Sequence, residues 1–253
     1  MMRRIHHVGV VVKHLKEAYA FYRGVLGLPL VREAEITDQG VRAALLAAGE
    51  SELELLEPLG PDTPVGRFLA RRGEGLHHLC FEAYDVGASL AELARRGVPM
   101  LDRVPRAGLA GQIGFLHPTA CSGVLVEIAT PPAPADEERP SPLRLKRLVI
   151  GAGDVGVTAG IFQSLFGFTE VAMNGGPRTM LAVGRGTLLV VPAHEVGGTA
   201  GIVALSFVAE DFFALTAALR RAGVPRLDGT GEVTVEPAAS HGVHLHISRY
   251  MFP

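Results

Sequence analysis

The chain reads as an α+β protein of four βαβββ modules arranged as two tandem domains. Three observations predict this. The segment Ile5-His6-His7-Val8 returns as Leu76-His77-His78-Leu79, helix-like runs recur at matching places, and a proline-rich stretch divides the chain near its middle. A length of 253 residues exceeds the usual single-domain size, and 48% apolar residues allow each half its own core.

Each module follows one order. In the first, β-branched IHHVGVVV (5–12) predicts a strand. In LKEAYAFYRGVLGL, Leu15, Ala18, Phe21, Tyr22 and Val25 recur at helical spacing, and the helix closes near Gly27. Three strand-like runs follow: LVREAEI (30–36), VRAALLAA (41–48) and ELELLEPL (52–59). The second module repeats this with strand LHHLCFEAY (76–84) and helix VGASLAELARRG (86–97) ending at Gly97. Its three strands are expected near PMLDRV (99–104), GQIGFLH (111–117) and GVLVEIA (123–129).

Residues 130–142, TPPAPADEERPSP, lack apolar periodicity and form an expected linker between domains 1–129 and 143–253. Beyond it the order recurs more loosely. LKRLVIGAG leads into VTAGIFQSLFGF, which echoes AYAFYRGVLGL, and ALTAALRRAGVP (214–225) echoes ASLAELARRGVP (88–99). Repeated units of this kind pair to close their sheets.

Composition narrows function. A net charge of −2 without a basic run excludes the electrostatic footprint of a nucleic-acid binder. The apolar run Val8–Val12 is too short to span a membrane. Cys80 and Cys121 show no CxxC spacing, so a cytoplasmic protein with reduced thiols is expected.

The first two modules carry chemistry at corresponding places. His7 and Glu54 stand 47 residues apart on the first and last strands of one module; His78 and Glu127 stand 49 apart in the next. Pairing about a pseudo-twofold axis would bring two imidazoles and two carboxylates to one point. That nitrogen/oxygen set suits a divalent transition ion with positions open for substrate. In Glu52-Leu53-Glu54-Leu55 the acids share one face of the strand, and Glu127 interrupts an apolar run where a carboxylate is costly unless paired or bound to a cation. Adjacent strand histidines project to opposite faces, so one of each pair can face the site. Glu52 reads as an outward acid, and His14, His117 and His194 as surface residues.

These residues carry a family resemblance over essentially all of residues 4–129. IHHVGVVV, FYRGVLGL, ELELLEPLGPDTPVGRFLARRGEGLHHLCFE and IGFLHPTACSGVLVEI resemble the methylmalonyl-CoA epimerases of the vicinal-oxygen-chelate superfamily, which also holds glyoxalase I and extradiol dioxygenases. The resemblance implies that His7, Glu54, His78 and Glu127 are the metal ligands, so His6 and His77 face away. It further implies a divalent ion, Co²⁺ foremost, with Ni²⁺, Mn²⁺ or Zn²⁺ also suited. The implied reaction removes the C2 proton of a methylmalonyl-type acyl-CoA thioester and stabilises the enolate. Glu127 is the implied catalytic base. Where some epimerases carry a second acid, after the QGV segment, this chain has Ala43; Glu33, Glu35 or a metal-bound water could substitute, and nothing in the sequence selects among them.

The second domain reads as degenerate. Arg147, Leu188, Ala204 and His246 fall opposite the four ligands, and three of these are not ordinary metal ligands. His244 and His246 share one face of VHLHIS. The family resemblance implies homodimers of single units, so a fused degenerate copy could replace the partner subunit or cover the pocket. Alternative readings are a glyoxalase-type lyase acting on a hemithioacetal and a non-catalytic small-molecule binder; an extradiol dioxygenase would place its iron site in the second half. Arg103 and Arg106 read as solvated surface residues.

Overall fold

The computed structural model of the chain describes residues 2–132, 139–173 and 175–249; residues 133–138 of the expected linker lie outside them. The first module comprises β1 (Met2–Val11), helix α1 (Leu15–Tyr19) running into a π-helical turn over Ala20–Val25, β2 (Leu30–Ile36), β3 (Val41–Ala48) and β4 (Ser51–Pro58). Helix α2 (Pro64–Arg72) leads to β5 (Gly75–Ala83), α3 (Val86–Arg95), β6 (Arg106–Gly108), β7 (Gly111–Leu116) and β8 (Val126–Thr130). The third module is β9 (Leu143–Ala152), α4 (Val155–Phe166), β10 (Thr169–Val171), β11 (Thr179–Val183) and β12 (Gly186–Pro192). The fourth is β13 (Gly201–Ala209), α5 (Phe212–Arg221), β14 (Arg226–Gly229), β15 (Glu232–Val235) and β16 (His244–Ser248).

The strands form two eight-stranded sheets of identical plan: β2-β3-β4-β1-β5-β8-β7-β6 and β10-β11-β12-β9-β13-β16-β15-β14. These are the tandem α+β domains expected from four modules. Within a module the outer strands pair antiparallel, whereas the first and last strands pair parallel, as in β5–β8 and β13–β16. The parallel pair matters for the site. Its even register sets residues of two strands side by side on one face.

Sequence explains most element ends. Helices α3, α4 and α5 each start on an aspartate, Asp85, Asp154 and Asp211, whose carboxylate accepts a backbone N–H three residues on. Helix α3 buries Val86, Leu90 and Leu93. A Cβ on Gly114 would stand 2.6 Å from Leu90 Cδ1, so glycine lets this helix rest directly on β7. After the π-helical turn Gly27 takes φ +74°, a conformation open to glycine at little cost.

Three elements depart from the sequence expectation. The predicted helix after β1 widens midway: Leu26 N–H bonds Phe21 O at 3.0 Å, five residues back. The strand expected at PMLDRV is absent apart from one bridge, Met100 to Leu116, and β6 begins later at Arg106. Asp102 explains the difference, since its carboxylate occupies the Phe115 N–H at 3.0 Å that a ladder would use. Helix α2 was not expected, although Thr63 caps it through Gly66 N–H and Pro64 opens it.

By internal contacts the chain divides into two compact units: Met1–His7, His78–Ala135 and Arg147–Val203 form one, and Val8–His77, Asp136–Lys146 and Ala204–Pro253 the other. In the first, Phe81 on β5 is fully buried, with ring centroids 4.9 Å from Phe168, 5.1 Å from Phe166 and 6.5 Å from Phe162. Glu82 is buried beside it and accepts from Arg3 Nη1 at 2.5 Å and Arg4 Nε at 2.7 Å.

In the second unit, fully buried Tyr22 donates its hydroxyl to Ser240 O at 2.9 Å. Replacing Tyr22 by Phe removes this bond and leaves the Ser240 carbonyl with the longer bond from Val243 N–H, at 3.3 Å. We expect a stability loss of about 1–1.5 kcal/mol in urea unfolding, with the slope unchanged.

Candidate metal centre

Strands β1, β5 and β8 bring three of the expected ligands together. On β5, His78 and Cys80 share a face, because side chains alternate along a strand. Cys80 pairs in register with Glu127 on β8, so His78 and Glu127 project to the same side. His7 Nε2 lies 3.0 Å from His78 Nε2. Glu127 Oε2 lies 3.3 Å from His78 Nε2 and 3.7 Å from His7 Nε2. His7, His78 and Glu127 are 0%, 2% and 3% exposed, so this polar convergence is closed to bulk water.

Glu54 lies on β4, buried between Leu53 and Leu55. Glu54 belongs to the other compact unit; His7, His78 and Glu127 by themselves offer two imidazole nitrogens and a carboxylate oxygen to a metal ion. The donor chemistry fits such an ion. A buried carboxylate is costly without a cation, and two imidazoles with acid oxygens suit a borderline divalent metal. His78 is steadied by Phe115, whose ring meets it edge to face at 5.4 Å.

His6 does not face away as alternation implies. Its Nδ1 lies 2.9 Å from Nδ1 of His7, and the residue is buried. The near nitrogen of an imidazole is only two bonds from Cβ, so neighbouring rings can meet beside the strand. One nitrogen of that pair donates and the other accepts. If His7 presents a lone pair at Nε2, its proton sits on Nδ1 and His6 is the acceptor. Cys80 joins His6 and His7 in a second buried group of ligand-type atoms. Nothing in the sequence marks this His6 contact except its place beside a ligand candidate. His77 is half-buried and stacks edge to face on Phe68 at 4.8 Å.

The remaining candidates resolve simply. Ala43 is fully buried on β3, paired with Ala34 and Leu56, and supplies no acid. Glu33 and Glu35 are exposed on β2; one accepts from the Tyr19 hydroxyl at 2.5 Å and the other from Arg42 at 3.3 Å. Glu52 pairs with Arg139. His14, His117 and His194 are exposed, as expected. Arg106 is not a free surface cation: Asp102 holds it at 3.2 Å, and its guanidinium lies 5.4 Å from the centre of the Phe115 ring. Burial pushes the Cys121 thiol up to about 12, so it is a packing residue at neutral pH. Among the described residues no helix is long and apolar enough to cross a membrane.

Comparison with known proteins places this centre in context. Residues 6–116 match the glyoxalase/bleomycin resistance protein/dioxygenase superfamily. The mitochondrial methylmalonyl-CoA epimerase of Bos taurus is 35% identical over 127 residues, covering 49% of this chain and 73% of that protein. A solved variant of Streptomyces coelicolor methylmalonyl-CoA epimerase, in complex with 2-nitronate-propionyl-CoA, is 39% identical. It covers 53% of this chain and 100% of its own, with a TM-score of 0.51. A 4-hydroxymandelate synthase variant from Streptomyces coelicolor covers 100% of this chain and 95% of its own at TM-score 0.72. At 19% identity it shows the two-domain fold alone.

Proposed function

The chain belongs to the glyoxalase/bleomycin resistance protein/dioxygenase superfamily, and from that premise we propose a metal-dependent epimerase or isomerase acting on the carbon beside an acyl-CoA thioester. The substrate class is methylmalonyl-CoA-like. The observation that carries this reading is the buried convergence of His7, His78 and Glu127 on one point. Relatives named for epimerisation of methylmalonyl-CoA support the substrate class.

In this reading His7, Glu54, His78 and Glu127 hold a divalent ion such as Co²⁺. When bound, that ion supplies a Lewis acid for negative charge developing on substrate oxygen. The chain's own residues do the rest. Glu127 accepts the C2 proton as the C–H electron pair passes into the thioester carbonyl, giving an enolate. Burial of the centre excludes water from the charged groups and strengthens their effect on the substrate. Phe115 and His6 fix the two imidazole rings.

Ala43 has a consequence for stereochemistry. Inversion needs a proton delivered to the face opposite Glu127, and no buried acid stands at position 43. We therefore expect proton exchange to outrun inversion. Methylmalonyl-CoA followed by NMR in D₂O should take deuterium at C2 in a metal-dependent manner, with label appearing before the other epimer. Absence of exchange beside turnover of a hemithioacetal would instead favour a glyoxalase-type lyase.

His6 supplies a separate expectation. Replacing His6 by Leu removes the acceptor that sets the His7 tautomer, which should weaken Co²⁺ binding about 10–100-fold. A His6→Asp variant should recover most of that loss, as read by chelator competition. The fused second domain, in the same reading, takes the place of a second subunit. Sedimentation of the full chain as a monomer with full activity is the expected result.

A further inference from the structure

The second domain carries a histidine pair that the proposed chemistry does not use. His244 and His246 are two apart on β16, so both rings project from the same face. Their Nε2 atoms lie 3.2 Å apart. Two nitrogens bound at about 2.0–2.1 Å to one tetrahedral ion stand at a similar separation. A polar group stands behind each ring, within hydrogen-bond reach for His246. Thr234 Oγ1 lies 3.0 Å from His246 Nδ1, and Glu236 Oε2 lies 3.6 Å from His244 Nδ1. This is how outer groups orient imidazole ligands, leaving the far nitrogens to converge.

Charge selects the kind of ligand. Among the described residues, Glu236 and Glu232 set negative charge near His246, and Glu236 near His244 as well, which favours a cation over an anion. The His244 side chain remains 30% exposed, so the face is open to an ion and its water ligands.

We propose that His244 and His246 form a second, solvent-accessible site for a borderline divalent ion such as Zn²⁺, Ni²⁺ or Cu²⁺. Two imidazole nitrogens bind the ion, and water or a small ligand fills its remaining positions. Both ligands lie on β16, and the site does not depend on the centre of the first domain. Such ions prefer nitrogen donors, with Cu²⁺ bound most tightly.

Equilibrium dialysis of the full chain against Zn²⁺ tests this, with bound metal counted in the parent and three variants. The expected count is two ions in the parent, and one in His244→Ala and in His246→Ala. The Thr234→Val variant should keep both ions but bind one about 10–100-fold more weakly. Cu²⁺ bound to a His78→Ala chain should show a two-nitrogen signature by electron paramagnetic resonance, lost on adding His246→Ala. Unchanged binding in both His244→Ala and His246→Ala would overturn the proposal, as would a single parent ion lost with His78→Ala. A single ion that survives His78→Ala but not His244→Ala would support this site while counting against the first-domain reading.

Discussion

Replacing Glu127 by Gln should lower metal-dependent C2 proton exchange of methylmalonyl-CoA by about 10²–10⁴-fold, the usual worth of a positioned general base. The substitution keeps size and one oxygen donor but removes the proton acceptor. Glu127 is 3% exposed and its Oε2 stands 3.3 Å from His78 Nε2, so no solvent base can take its place easily. Metal affinity separates the two roles assigned to this residue. A fall in exchange far exceeding the fall in Co²⁺ affinity identifies a base. If both fall in step, Glu127 is a ligand only, and the proton acceptor lies elsewhere. If exchange is unchanged, the residue has no part in the reaction.

The largest stability effect is expected at Phe81. Its ring is fully buried and meets Phe162, Phe166 and Phe168, which come from α4 and the turn after it. Phe81→Ala removes a whole ring and leaves a cavity walled by three others that cannot collapse together. Such substitutions cost about 3–5 kcal/mol. For a chain of this size that lowers the melting midpoint by roughly 6–20 °C. Phe81→Leu refills much of the space and should lose less than half as much. A shift of under 2 °C for Phe81→Ala, by calorimetry, would show that the cluster is not a core (roughly 2–4 °C is expected per kcal/mol).

Much of this was legible in the chain because the modules repeat. Paired histidines at the same strand position, and acids 47 and 49 residues later, predict convergence through symmetry alone. The alternation around Glu54 and the apolar setting of Glu127 mark both as acids with a partner to find. What was not legible depends on contacts between distant residues. The strand pattern around Glu82 carries no sign that β1 brings Arg3 and Arg4 to it. His6 reads as the idle half of a pair until its ring is seen beside His7. The strand expected at PMLDRV failed because Asp102 takes a backbone N–H that no periodicity reveals. Arg106 looked solvated for a similar reason, its anchor being four residues away and its aromatic neighbour nine.

The grouping of modules was also beyond a linear reading. Repeats show that four similar units exist, yet each unit offers the same kind of apolar face. Nothing in the pattern says which face meets which. The first compact unit takes His78–Ala135 together with Arg147–Val203, and the second joins Val8–His77 to Ala204–Pro253.

Direct titration of Co²⁺ into the metal-stripped chain and its His78→Ala variant tests the central claim most simply. The account predicts that the variant binds one equivalent fewer than the parent, and that methylmalonyl-CoA exchange disappears with that equivalent. Equal binding by the two chains, or exchange that persists without the ion, would contradict it.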